Sequence, residues 1–131
     1  MSKTYTILIV EDEPLIMMDL EFAAEDRECE VLTAVSVAKA MAEIELASHI
    51  DVAILDVTLG KGETCLPIAR MLEQRDVPYI LHTGDLDRQE EKVRQLDAPL
   101  IAKPAASEKV IAAAIVAAEG EDLAQIRLAA E

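Results

Sequence analysis

The residues able to do chemistry together stand at four points of the chain. They are the acid run Glu11-Asp12-Glu13, Asp56, Thr83, and Lys103 followed by Pro104. Carboxylates crowded into one place repel one another and raise each other's pKa values. A hard divalent cation relieves that crowding. Mg²⁺ takes oxygen ligands and keeps several waters, so one or two direct carboxylates suffice to hold it. A carboxylate beside such a cation, an ammonium and a hydroxyl is suited to accept a phosphoryl group. The carboxylate is then the nucleophile. The cation and Lys103 neutralise charge on the transferring oxygens, and Thr83 offers a hydroxyl that donates a hydrogen bond. Acid clusters that start a loop are often only solvated helix N-termini. The company of Asp56, Thr83 and Lys103 is what separates this one.

Such a site needs elements that bring four distant points together. Short apolar runs at 5–10, 30–35, 51–56, 77–83 and 99–104 read as strands, the last stopped by Pro104. Amphipathic stretches lie between them. The first, opened by Pro14, places Leu15, Met18 and Phe22 on one helical face. Ser36 reads as the N-cap of a helix that buries Val37, Met41 and Ile44. Further helices are expected over 64–74, over 85–96, where apolar residues are sparse, and over 107–118 with Ser107 as cap. Strands alternating with helices imply right-handed βαβ crossovers and a doubly wound parallel sheet, an α/β fold. In the flavodoxin-like (βα)5 order 2-1-3-4-5, the order of the strands reverses between strands 1 and 3. Ligands bind beyond the C-terminal strand ends at that reversal, where Glu11, Asp12, Asp56, Thr83 and Lys103 all fall.

The bulk composition agrees with this reading. The chain has 131 residues, of which 52% are apolar, enough for one domain with an aliphatic core. Acids outnumber bases 26 to 12, for a net charge of −14. A chain this acidic is repelled by nucleic-acid phosphates and anionic membranes, so neither is expected as a partner. No leader-like segment or membrane-length apolar run is read, and a cytoplasmic location is expected. Cys29 and Cys65 fit no disulfide or zinc pattern and read as buried thiols. His82 reads as a partly buried sheet residue and His49 as exposed, with no partner group nearby.

With these residues in place, the chain resembles the receiver domains of two-component response regulators. "ILIVEDEP", "VAILDV", "ILHTG" and "LIAKP" match the family's acid pair, phosphoacceptor, hydroxyl switch residue and Lys-Pro. The spacings between them fit as well. The resemblance implies that Glu11, Asp12, Asp56 and the backbone carbonyl of Thr58 bind Mg²⁺. It implies that Asp56 takes phosphate from a sensor histidine kinase or a histidine phosphotransfer protein. Thr83 and Lys103 then contact the phosphate, and the Lys103–Pro104 peptide is cis.

Some positions depart from the family's usual pattern. Gly84 follows the hydroxyl where a small residue such as Ala is common, and Leu100 replaces an aromatic on strand 5. "LHTGDL" looks like a divergent Phe-Ala-Thr-Gly-x-Tyr motif of atypical alphaproteobacterial receivers, with Leu81 and Leu86 in place of the aromatics. That likeness implies a role in stress or light signalling. With no aromatic at position 100, the Thr83 movement is expected to be read out through residues 85–96.

The expectation is a single-domain receiver over 1–119. A tail over 120–131 follows, with Leu123, Ile126 and Ala130 on a narrow apolar helical face. Such a chain, a monomer or weak dimer, acts through a downstream protein partner or as a phosphate sink, and is not an enzyme. A Mg²⁺-dependent phosphatase with an Asp nucleophile is the rival from another class. Those enzymes place a second acid two residues after the nucleophile, where this chain has Thr58. A pseudo-receiver that only binds partners is the other rival; Asp12, Asp56 and Lys103 speak against it.

Overall fold

The computed structural model describes residues 4–84 and 96–131. The elements run β1 (Thr6–Val10), α1 (Pro14–Asp26), β2 (Glu30–Ala34), α2 (Val37–Leu46), β3 (Val52–Leu55), α3 (Leu66–Gln74), β4 (Tyr79–Thr83), β5 (Leu100–Ala102), α4 (Ser107–Ala118) and α5 (Leu123–Ala129). All the strands pair in parallel, in the order β2-β1-β3-β4-β5. This is the flavodoxin-like arrangement expected from the alternating runs. The helix expected over 85–96 lies outside the described residues, apart from Leu96, which is buried.

β3 is buried at every position and β1 at all but its first, as strands covered on both faces must be. Alternation divides the sheet residues between two cores. Leu8, Val10, Ala53, Leu55, Tyr79 and Leu81 pack under α2 and α3. Ile7, Ile9, Val52, Ile54, Ile80 and Ile101 pack under α1, α4 and Ile126 of α5. Local signals set the helix ends. Ser36 accepts a hydrogen bond from the Lys39 amide at 3.2 Å, and Asp122 accepts one from the Gln125 amide at 3.0 Å. Ser107 does not cap α4; the cap position falls on Ala106, and Ser107 is the first helical residue.

α1 turns a different face inward from the one expected. Met17, Leu20 and Ala24 are buried, whereas Leu15, Met18 and Phe22 are exposed by 68%, 43% and 57%. In α2, Ala40 rather than Met41 joins Val37 and Ile44 in the fully buried set, with Met41 packed at its margin. α5 is the short helix expected in the tail, but only Ile126 is buried; Leu123 is 42% exposed. Cys29 and Cys65 are both buried free thiols. No described helix is long and apolar enough to cross a membrane.

Candidate functional site

The parallel register delivers the acids. Val10 pairs with Leu55 across β1 and β3, so the next residues, Glu11 and Asp56, emerge side by side. They leave the sheet at the reversal between β1 and β3, on the face that carries Ile9 and Ile54. Backbone bonds hold both strand ends: the Asp56 amide donates to the Val10 carbonyl at 2.9 Å, and the Glu11 amide to the Ala34 carbonyl at 3.1 Å. Glu11 and Asp56 are buried, while Asp12 is exposed. The Asp12 amide donates to Glu11 Oε2 at 3.1 Å. One carboxylate oxygen from each of Glu11, Asp12 and Asp56 lies within 4.8 Å of the others.

Lys103 enters from β5. The end of that strand is tied to β4, because the Lys103 amide donates to the Thr83 carbonyl at 2.9 Å. The Lys103–Pro104 peptide is cis, as the resemblance implied. The ammonium donates to Glu11 Oε1 at 2.7 Å and lies 3.5 Å from Asp56 Oδ2. Thr83 is buried at the end of β4. Gly84 is not in the left-handed region, and a Cβ built on it would meet Lys103 Cβ at 3.5 Å, an ordinary contact. The backbone there makes no demand for glycine.

The electrostatics follow from burial and crowding. Burial pushes the Asp56 carboxyl up to about 8, and the Glu11 carboxylate beside it pushes in the same direction; Lys103 opposes both. Burial also works against ionised Glu11, yet the Asp56 hydrogen bond and the Lys103 ammonium lower it below its usual range. Burial and the adjacent carboxylate thus favour the protonated form of Asp56, while the Lys103 charge favours the ionised form of Glu11. Burial would lower Lys103, but the bond to Glu11 and the charge of Asp56 raise it. A hard-oxygen donor set of three carboxylates beside one ammonium fits Mg²⁺ in ligand type and number. Such a cation would take the place of the proton that keeps Asp56 neutral.

Thr58 sits exposed in the loop after β3, bridged in antiparallel fashion to Thr64. This loop is closed by a bond from the Cys65 amide to the Val57 carbonyl at 3.0 Å. It contains a 3₁₀ turn at Gly60–Gly62, with Lys61 and Gly62 at φ of 65° and 74°. Leu59, 2% exposed, reaches into the core under α2 and α3. A Cβ on Gly60 would stand 3.7 Å from Asp12 Oδ2, so the loop lies against the acids.

Two histidines differ from expectation. His49 is exposed but has a partner: its Nε2 is 2.7 Å from Asp51 Oδ1, and Asp51 Oδ2 accepts the Thr6 amide at 2.8 Å. The acid lay only two residues away in the sequence. His82 is more deeply buried than expected, at 4% exposure, and its Nε2 has no hydrogen-bond partner among the described residues. Burial, then the nearby Lys103 charge, lowers its pKa to about 4, so the ring is neutral at pH 7.

Comparison with known proteins agrees with this geometry. Residues 7–115 match the response regulator receiver domain family. The solution structure of SdrG from Sphingomonas melonis Fr1 is similar at 40% identity and a TM-score of 0.74, covering 91% of this chain and 99% of that one. A BeF3-activated conformation of SdrG from Pseudomonas melonis Fr1 shares 44% identity over 79% of this chain and 87% of that one, with a TM-score of 0.63. The PhyR receiver domain of Erythrobacter litoralis is 27% identical over 89% of this chain and 91% of that one, with a TM-score of 0.74. A structure described as the PhyR stress response regulator is 25% identical at a TM-score of 0.67, covering 91% of this chain and 45% of that one. Comparison with curated proteins returns no match.

Proposed function

The chain belongs to the response regulator receiver domains, and from that membership we propose that Asp56 accepts a phosphoryl group from a histidine kinase or a histidine phosphotransfer protein. The observation that carries the reading is the convergence of Glu11, Asp12 and Asp56 within 4.8 Å, with the Lys103 ammonium against the first and third. Mg²⁺, when bound, would supply positive charge to the oxygens of the transferring group. Glu11, Asp12, Asp56 and the Thr58 carbonyl are the residues that would hold it.

The protein's own groups account for the rest. Asp56 releases its proton to solvent and its carboxylate oxygen bonds to phosphorus, while the P–N bond of the donor phosphohistidine breaks and the imidazole leaves with the electron pair. Lys103, already 3.5 Å from Asp56 Oδ2, shifts from Glu11 towards the added phosphoryl oxygens. Thr83, at the end of the adjacent strand, turns its hydroxyl to the same oxygens.

The exposed stripe Leu15, Met18 and Phe22 begins three residues beyond Asp12. An apolar helical face beside a buried acceptor suits a donor protein that must bring its phosphohistidine to Asp56. The similarity to a PhyR described as a stress response regulator supports a role in stress signalling. Downstream, the phosphorylated chain acts by protein contact or as a phosphate sink.

The test is to incubate the protein with Mg²⁺ and a small-molecule phosphodonor and record its intact mass. One added phosphoryl group, absent in Asp56→Asn and under chelation, is the expected result. If no adduct forms even with a cognate kinase, the proposal is wrong and the chain is a pseudo-receiver. Rapid multiple turnover of the donor would assign it instead to the Asp-nucleophile phosphatases.

A further inference from the structure

His82 stands in the same row as the acceptor. Leu55 pairs with Leu81, so one residue further along each strand Asp56 is level with His82. His82 in turn pairs with Ile101. Strand alternation puts Glu11, Asp56, His82 and Ile101 on one face of the sheet, the face that carries Ile9, Ile54 and Ile80. The imidazole thus lies between the carboxyl of Asp56 and apolar Ile101 in its row, 4% exposed, with Nε2 unpartnered among the described residues. A buried polar atom without a partner raises the free energy of the conformation that contains it. It has no hydrogen bond to lose, so movement of the strand end leaves it as it is or supplies a partner.

The neighbours of His82 make that movement specific. Thr83 is the next residue, and its carbonyl accepts the Lys103 amide at 2.9 Å. A turn of the β4 end that brings the Thr83 hydroxyl towards Asp56 therefore moves His82 and Lys103 with it. We propose that His82 is a positioning residue for the phosphorylation response, whose Nε2 gains its hydrogen-bond partner only when Asp56 carries the phosphoryl group. The missing bond disfavours the unphosphorylated conformation and so weights the equilibrium towards the responding one. This inference rests on Asp56 being the acceptor.

The first test leaves His82 in place and uses the full chain with ¹⁵N-labelled histidine, titrated with beryllofluoride and Mg²⁺. The expected result is a shift of the His82 Nε2 resonance in step with the amides around Asp56, and no shift in Asp56→Asn. If those amides respond while Nε2 stays still, the His82 inference fails and the acceptor reading stands. If neither responds, the acceptor reading fails and His82 falls with it.

A second measurement uses His82→Leu, which keeps bulk and removes the orphaned nitrogen. Its melting temperature without ligand should rise by a few degrees. Its half-saturating beryllofluoride concentration should rise about fivefold to thirtyfold. His82→Asn, which keeps a polar group, should stay nearer the parent in both. An unchanged half-saturation in His82→Leu would overturn the proposal, because a purely structural role moves stability without moving the response.

Discussion

The Lys103 ammonium lies 2.7 Å from Glu11 Oε1 but 3.5 Å from Asp56 Oδ2. The only ammonium in contact with the acids, among the described residues, is thus committed first to Glu11 rather than to Asp56. That preference matches the directions of the two shifts, Glu11 lowered and Asp56 raised.

A pH dependence follows, with a definite sign. Asp56 moves from an ordinary value of 3.8 to about 8 on folding. Between those values the folded chain holds a proton that the unfolded chain has released. This contribution to stability is full below pH 3.8 and is lost as the pH rises through about 8. With chelator present, urea denaturation should show stability falling by about 1–3 kcal/mol from pH 5 to 8, allowing for the solvent that reaches the site. Asp56→Asn should flatten the slope.

Replacing Lys103 with Met should be costly. It removes the charge and hydrogen bond that compensate buried Glu11, so about 2–4 kcal/mol of stability should be lost by denaturant titration at pH 7. Lys103→Met should also respond to beryllofluoride far more weakly than the parent. Unchanged stability would mean that Glu11 takes up a proton, or reaches solvent, at little cost.

Thr83→Ala separates acceptance from response. The adduct on Asp56 should still form, at a stability cost of about 1 kcal/mol. The change in amide hydrogen exchange over β4 and β5 that accompanies phosphorylation should shrink several-fold. An undiminished change would show that the hydroxyl is not the switch.

Phe22→Ser and Leu15→Ser probe the exposed face of α1. Both sites are well exposed, so stability should stay within about 0.5 kcal/mol of the parent. Phosphotransfer from a protein donor should slow about tenfold or more, while labelling by a small-molecule donor should not change. Equal slowing of both would point to damage at Asp56 rather than to lost docking.

The sheet order could be read from the sequence because each strand is a short apolar run ended by polar residues of distinct type. The orientation of α1 could not. Its sequence, PLIMMDLEFAAED, has apolar residues on nearly every side, so a 3.6-residue period fits two faces. Packing against α4 and β2 decided between them, and that information is not local. His82 illustrates a different limit. Its neighbours marked it as a sheet residue, but an unmet hydrogen bond is a property of the assembled row. The spacing of Glu11, Asp12, Asp56 and Lys103 along the chain identified which residues belong together. Which carboxyl keeps the proton depended on burial that only the folded chain reveals.

Leu59 ties the region around the acids to the interior. Its side chain, 2% exposed, is seated under α2 and α3, and burial of that size contributes about 1.5–3 kcal/mol. The loop that carries Thr58 and lies against Asp12 is therefore anchored like part of the core. Opening it requires withdrawing a leucine from packed surroundings, a cost that a loop without such an anchor does not carry. A protease must wait for Leu59 to leave its seat, so the backbone around Thr58 should be cut more slowly than a loop with no buried anchor.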